Sequence, residues 1–339
     1  MIYKLSVIIP VYNVDSFIDE CLKTIISELN TETEVLLLDD GSKDSSLEKC
    51  RRYESVNVRV FHHDNHGVSY TRNRGISEST GEYIMFVDAD DVLLPGWSEV
   101  VFSAIEENLD IVYFSSKLDQ SEKNKISIVE GIFGIKKKSA LVTMASPGSK
   151  IFKKKFLSDN EITFDRGLIN GEDALFNLEA VIKCESLGFV MKSLYRYRIY
   201  GNSSTKTFNP GFFQSNLLFL QKAETLILES GMFAESEKEF IINFSFSYSV
   251  YLYLFLISRI RNNKAKLQEI KKLSSSTMLR YFKRFPVTVH PAKIVQISYN
   301  LAKHNRNRQA MFFINILNVA KGIRNKFRSK NNTYYFIEM

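Results

Sequence analysis

Three acidic clusters, each placed beside an apolar run, constrain this chain more than any other feature: LLLDDGSKDSS (36–46), IMFVDADD (84–91) and INGEDALF (169–176). Short apolar runs read as buried strands, and open α/β sheets bind ligands in the crevice outside the carboxyl ends of their strands. Carboxylates placed there suit a sugar nucleotide, the metal ion that accompanies its diphosphate, and an attacking hydroxyl.

The runs LSVIIPVY, TEVLLLDD, VNVRVFHH, EYIMFVD and DIVYFSS alternate with helical patterns near 15–29, 44–54, 68–79 and 96–108. That alternation predicts an α/β fold with a mostly parallel sheet and helices on both faces. Asp15 and the run Asp44-Ser45-Ser46 stand as helix starts. The polar, Lys-rich interval 116–125 reads as a surface loop. From about 130 to 205 the pattern is mixed, with a helix over Glu172–Lys183 and a basic aromatic strand in SLYRYRIYG. Beyond Asn209 the chain reads as helical to its end. The expected division therefore falls near 208, with an α/β domain over 1–208 and a basic helical domain over 209–339.

The 339 residues suffice for a large core with an appendage, or for two domains, and 45% apolar content fits an ordered globular chain. Cys21, Cys50 and Cys184 are odd in number and far apart, which argues against a disulfide framework and offers no zinc spacing. The opening MIYKLSVIIPVYN enters a strand almost at once and lacks the apolar core and cleavage site of a signal peptide. A cytoplasmic setting is the expectation. Charge is uneven: residues 258–330 carry eighteen Lys or Arg against Glu269 alone, whereas residues 1–257 sum to −9 within a chain of net +7.

Pro10 cannot donate to a ladder, so it marks a strand end opening toward a ligand or an ordinary strand-to-helix turn. Tyr12 beside it offers a ring and a hydroxyl to a base. Asp39 and Asp40 precede Gly41, which permits a tight turn. A carboxylate there accepts from a nucleobase N–H, unless both stay solvated beside a helix capped by Asp44 and Ser45. NHGVSYTRNRGI opens a helix at Gly67-Val68 whose free N–H groups suit an anion, and Arg72, Asn73 and Arg74 add charge and donors, although surface solvation of the two arginines is the common alternative. Asp88, Asp90 and Asp91 follow a buried strand so closely that cations or donors must offset their repulsion. A hard divalent ion, Mn²⁺ or Mg²⁺, takes a few carboxylates plus phosphate oxygens. Asp91 alternatively caps the turn before Pro95. Glu172 and Asp173 open a helix, where the dipole favours acids in any case and where a carboxylate can take a proton from a hydroxyl. His62, His63 and His66 have no fourth ligand and read as loop or nucleotide-edge residues.

The ordered set SVIIPVYN, DDGSKDSS, GVSYTRNRGI, GEYIMFVDADD and NGEDALF resembles glycosyltransferase family 2, an inverting family on the GT-A fold. The resemblance covers residues 4–205, and its specificity lies in five strings in one order and spacing. It implies that Pro10, Tyr12 and Asn13 line a nucleotide pocket, that Asp40 accepts from a uracil ring, and that Arg72 with Asn73 faces a diphosphate. It further implies a ribose or metal contact for Asp88, metal coordination by Asp90, and Asp173 as the base with Glu172 next in line. Arg196, Arg198, Asn202 and Ser203 fall where family members often close a loop over the donor. The expected activity is transfer of a hexosyl or N-acetylhexosaminyl unit from a UDP-sugar to a glycan hydroxyl in bacterial capsule or other surface-polysaccharide synthesis. A polyprenyl-diphosphate-linked acceptor would suit the basic tail. The rival is a catalytically silent glycan- or nucleotide-binding protein of the same fold, and the presence of both DADD and GED argues against it.

The uncharged stretch 240–258 is long enough to cross a bilayer. Its serines, Asn243 and tyrosines suit a packed helix better, so a buried helix is expected. Residues 310–328 place apolar side chains beside Lys321, Arg324, Lys326 and Arg328. Both an interfacial helix on an anionic membrane surface and a core or homo-oligomer-forming helix fit that pattern. The first would make the protein peripheral on the inner face of the cell membrane. Nucleic acid is not expected, because no recognised module accompanies the charge.

Overall fold

A computed structural model of the chain describes residues 3–118, 123–135, 145–200, 209, 211–273, 293–315 and 334–338. The first half runs β1 (Leu5–Val11), α1 (Ile18–Ile26), β2 (Thr33–Asp40), α2 (Ser46–Arg51), β3 (Val58–His63), α3 (Val68–Glu78), β4 (Tyr83–Phe86), β5 (Val92–Leu93), α4 (Trp97–Ile105) and β6 (Ile111–Phe114). There follow α5 (Lys125–Ile132), β7 (Lys150–Lys153), α6 (Lys154–Asp159), α7 (Glu172–Lys183), β8 (Leu187–Val190) and β9 (Tyr195–Tyr200). The remainder contributes α8 (Phe212–Glu229), α9 (Glu235–Ser258), α10 (Asn263–Lys272), α11 (Lys293–Lys303), a helix α12 over 307–315, and β10 (Tyr334–Glu338).

A seven-stranded sheet in the order β3-β2-β1-β4-β7-β6-β8 forms the centre. Its first four strands pair in parallel, and β7 enters antiparallel between β4 and β6. β2 is buried at every position and β1 at all but Pro10, as apolar strands covered on both faces must be. The two-residue period divides their side chains between the faces. Ile8, Leu36, Leu38, Ile84 and Phe86 join one hydrophobic cluster, while Val7, Ile9, Val35, Leu37 and Met85 join the other. The second cluster is closed by α1 and α4 through Ile18, Leu22, Trp97 and Val101. The first continues without a break into α7, α8 and α9 through Phe176, Phe219, Phe246 and Ile257.

The stretch 240–258 forms most of α9, and it is a packed helix as expected: Ile242, Phe246, Val250, Tyr253 and Leu254 are buried. The Tyr253 hydroxyl donates to Glu269 at 2.8 Å, tying α9 to α10. Among the described residues no helix is long and apolar enough to cross a membrane. The chain does not stay helical to its end, because β10 pairs antiparallel with β9 from Tyr334↔Tyr200 to Glu338↔Arg196. With β5 these strands make a second, three-stranded sheet. The expected boundary at 208, Asn202, Ser203 and the basic segment 316–328 lie outside the described residues.

The sheet also positions the ligand crevice. β1 stays paired with β2 as far as Val11↔Asp39, but its pairing with β4 stops at Ile8↔Phe86. Ile8 accepts from Val87 on the β4 side, and Pro10, two residues on, turns its N–H-less nitrogen to that same side. The proline thus sits where the two strands part and no donor is missed, which is the switch point between β1 and β4.

Candidate active site

At the end of β2 the two aspartates do different work. Asp39 is fully buried; its Oδ2 accepts from the Ser42 N–H at 3.2 Å and meets His62 Nδ1 at 2.8 Å, while its buried Oδ1 has no partner among the described residues. Asp40 accepts from the His66 N–H at 2.7 Å and the Gly67 N–H at 2.9 Å, which binds the loop before α3 to the strand end. Gly41 makes the turn between them with φ +72°, and a Cβ there would stand 2.8 Å from the Asn65 nitrogen. Gly41→Ala is therefore expected to lower stability by about 1–3 kcal/mol, read as a shift of the urea midpoint at constant slope. Asn13, at φ +50°, accepts from the Lys43 N–H at 2.7 Å and so clamps the end of β1 against the same turn. Tyr12 is 48% exposed beside it.

Helix α3 carries the centre of the site. Arg72 is 3% exposed, and its guanidinium forks between Asp88 Oδ1 at 2.8 Å and Asp173 Oδ1 at 2.6 Å, with the Phe164 ring 5.2 Å away. Three motifs far apart in the chain thereby meet on one side chain. Asp88 and Asp173 each keep 29% of their side chain accessible, so both still face the crevice. Arg72 does not face open solvent; it organises the two acids. Asn73 donates to the Phe164 carbonyl at 2.7 Å and accepts from the Phe164 N–H at 2.8 Å, so its amide fixes the segment behind the guanidinium. Asp173 enters from the first turn of α7, which begins after Gly171 at φ +88°.

The DADD turn is held from β9. The Asp88 N–H donates to the Tyr195 hydroxyl at 3.0 Å, and that hydroxyl donates to Asp91 Oδ2 at 2.7 Å. Asp91 Oδ1 accepts from the Arg198 N–H at 2.7 Å. Arg198, 1% exposed, donates through Nε to the Asp90 carbonyl at 2.7 Å and pairs with Glu20 at 2.6 Å. Asp91 and Arg198 thus brace the turn from within the protein, and Asp91 is tied to β9 instead of capping toward Pro95. Sequence reasoning passed over Tyr195; the strand SLYRYRIYG was legible, but nothing in it marks which aromatic meets an aspartate from 104 residues away.

Burial sets the protonation of these acids. It pushes Asp91 up to about 9, with the neighbouring charges of Asp88 and Asp90 adding to the shift. Burial and then the charge of Asp173 push Glu172 up to about 8, leaving it largely protonated near neutrality. Asp173 is also raised by burial, but the Arg72 guanidinium opposes the shift and favours its charged form. Burial disfavours the Arg72 charge in turn, and the attraction of Asp173 and Asp88 more than offsets it.

Among the described residues no three of His, Cys, Asp and Glu gather into a metal-binding group; His62 and His63, closing β3, meet Asp39 of β2 and Thr71 of α3, and His66 in the following loop meets Asp40 through its backbone N–H. Asp88 and the half-buried Asp90 nonetheless fit a hard divalent ion of the kind that draws its other oxygens from a diphosphate.

Residues 6–164 match the family model described as glycosyl transferase family 2. This segment is a family 2 glycosyltransferase domain. The chain is 27% identical over 248 residues to the glycosyltransferase GlyA of Streptococcus pneumoniae serotype 4, an alignment that covers 67% of this chain and 35% of GlyA. It is 30% identical over 220 residues to the uncharacterized glycosyltransferase EpsJ of Bacillus subtilis, covering 61% of this chain and 64% of EpsJ. The chain thus spans about a third of GlyA and less than two thirds of EpsJ. The crystal structure of S. aureus TarS 1-349 in complex with UDP-GlcNAc superposes with a TM-score of 0.66 at 22% identity, covering 95% of this chain and 92% of that one. That likeness is one of fold, and the architecture around the family 2 domain is GT-A with a helical C-terminal region.

Proposed function

We propose that the protein is an inverting, metal-dependent glycosyltransferase that moves a sugar from a UDP-sugar to a hydroxyl of a growing bacterial surface glycan. The observation that carries this reading is the Arg72 fork, which brings a donor-side acid and a helix-start acid to one guanidinium while leaving both open to the crevice. A silent binding fold has no need of the second acid.

Asp173 is the base. Its Oδ1 is held by Arg72, which leaves the other oxygen to take the acceptor hydroxyl's proton as that hydroxyl's oxygen bonds to the anomeric carbon. The bond from that carbon to the diphosphate breaks on the opposite face, which inverts the centre, and the diphosphate departs with its charge. A divalent cation held by Asp88 and Asp90 would neutralise that charge. Tyr12 and the turn tied by Asp40 and Asn13 frame the base of the nucleotide. UDP as the nucleotide is supported by the family 2 motifs and by TarS, a protein of the same fold solved with UDP-GlcNAc. The helical C-terminal part would serve the acceptor, a polyprenyl-diphosphate-linked glycan at the inner face of the membrane.

Asp90→Ala is expected to abolish Mn²⁺-dependent UDP binding in calorimetry while the thermal midpoint stays close to wild type, since a half-buried strand-end carboxylate holds ligand more than core. Wild-type affinity of this variant for Mn²⁺–UDP would refute the metal assignment.

A further inference from the structure

Lys150 opens β7 and is fully buried, a cation that none of the roles above uses. It shares a sheet face with Phe152, two residues on, whose ring lies 5.3 Å from that of Phe176 in α7. Asp173 stands about one helical turn before Phe176, so Lys150 is placed on the side of the sheet that carries the base. Its Nζ lies 4.8 Å from the centre of the Tyr113 ring, the residue paired with it on β6. Asp173 and Lys150 attract one another, each favouring the charged form of the other.

The residues just before β7 form a strap that joins this lysine to α7. Lys150 Nζ donates to the Ser146 carbonyl, and the fully buried Asn177 donates through Nδ2 to the neighbouring Ala145 carbonyl at 2.9 Å and to the Asp173 carbonyl at 2.8 Å. Lys150 and Asn177 thus grip adjacent carbonyls, and Asn177 carries the hold to the backbone of Asp173. Gly148 lets the strap lie against Tyr195 as well, since a Cβ there would stand 3.0 Å from that ring. A buried ammonium persists only where a charge or hydrogen bonds offset its desolvation. The acid it attracts is short of compensation, because Arg72 is shared between Asp173 and Asp88. Asp88 raises the affinity of Asp173 for a proton, whereas Arg72 of α3 and Lys150 of β7 lower it; Glu172, next to it in α7, is itself pushed up by the charge of Asp173.

We propose that Lys150 is a positioning residue for sugar transfer: it gives Asp173 a second counter-charge and, through the 145–146 strap shared with Asn177, fixes the turn that presents the base to the acceptor. This role rests on the reading of Asp173 as the base. Lys150 touches neither donor nor acceptor and acts through Asp173 alone.

The test places Lys150→Met and Lys150→Gln in the full chain, each alone and combined with Asp173→Asn. Methionine keeps the length of the side chain without its charge; glutamine also keeps a donor for the Ser146 carbonyl, and it carries the test if the methionine variant does not fold. UDP release is followed from UDP-GlcNAc, UDP-glucose and UDP-galactose, using the sugar that wild type turns over fastest, and UDP affinity is measured by calorimetry. Both single variants should bind UDP as wild type does. Burial takes Lys150 down to about 7, so the comparison is made below that pH, where wild type carries the charge. There kcat/KM should fall about tenfold and its acid limb should move up by about one pH unit, because Asp173 is easier to protonate once a nearby cation is gone. In the Asp173→Asn background neither substitution should slow release further, since the group it acts through is absent. An unmoved acid limb in the glutamine variant, or an equal loss of rate with and without Asp173→Asn, overturns the role. Failure of the base reading shows differently, as near wild-type turnover by Asp173→Asn alone, and this role of Lys150 falls with it.

Discussion

Asp173→Asn is expected to lower sugar transfer by roughly 10²–10⁴ while UDP-sugar affinity stays within a few-fold of wild type. The amide keeps the size of the carboxylate and still meets Arg72, but it cannot accept the acceptor's proton. The pH profile adds a second readout. Burial holds Asp173 above the ordinary carboxylate value near 4, against the pull of Arg72. A base works deprotonated, so the wild-type kcat/KM should fall as pH drops through that raised value, and the acid limb should lie above pH 4. The asparagine variant should lose this limb. Near-normal turnover by the variant in a donor-consumption assay would move the base elsewhere. Glu172 would be next, although its position near 8 leaves it a poor acceptor at neutral pH.

Arg72→Met should show the largest effect on folding. The guanidinium is almost wholly buried between two acids, and removing one partner of a buried pair typically costs about 3–5 kcal/mol because the remaining charge is left uncompensated. Partial access of Asp88 and Asp173 to water favours the lower end of that range. Against a total stability of about 5–15 kcal/mol, the urea midpoint should move far. The double variant Arg72→Met/Asp173→Asn should recover part of the loss, since one stranded charge disappears with the second substitution. An unchanged midpoint in the single variant would show that the fork does not hold the site together.

Legibility followed the range of the interactions. The runs around Ile8, Leu37 and Met85 could be read as strands because burial on both faces demands uninterrupted apolar sequence, and the helix over Glu172–Lys183 announced itself by its acidic start and its period. That Asp88 faces the crevice followed from the rule that strand ends line it, whereas Asp173 reaches the same place from a helix start. What escaped were partners fixed only by the folded chain. Arg72 reads in sequence as one of two basic residues on a helix, and only the approach of the strand-end Asp88 and the helix-start Asp173 turns it inward. Asn73 reads as a ligand amide, and in the fold its amide is tied to the Phe164 backbone. Arg198 looks like a phosphate contact until Glu20 and the Asp90 carbonyl claim it. β10 was missed for another reason. Its YYFIE run is rich in strand formers, but the run is short, follows a tract rich in Lys and Arg, and has its partner in β9 rather than nearby.

That pairing sets an order of assembly. A ribosome delivers β5 and β9 early and β10 after every other described element, so the small sheet behind the DADD turn gains its outer strand last. Closing so long a loop is slow compared with forming the parallel sheet from neighbouring units. Tyr195 and Arg198, which hold Asp91 and the backbone of the turn, therefore sit on an open-edged strand while the rest is being made. A nascent chain can have all these acids translated and its central sheet packed, yet leave the strand that holds the DADD turn without its outer neighbour until β10 pairs with it.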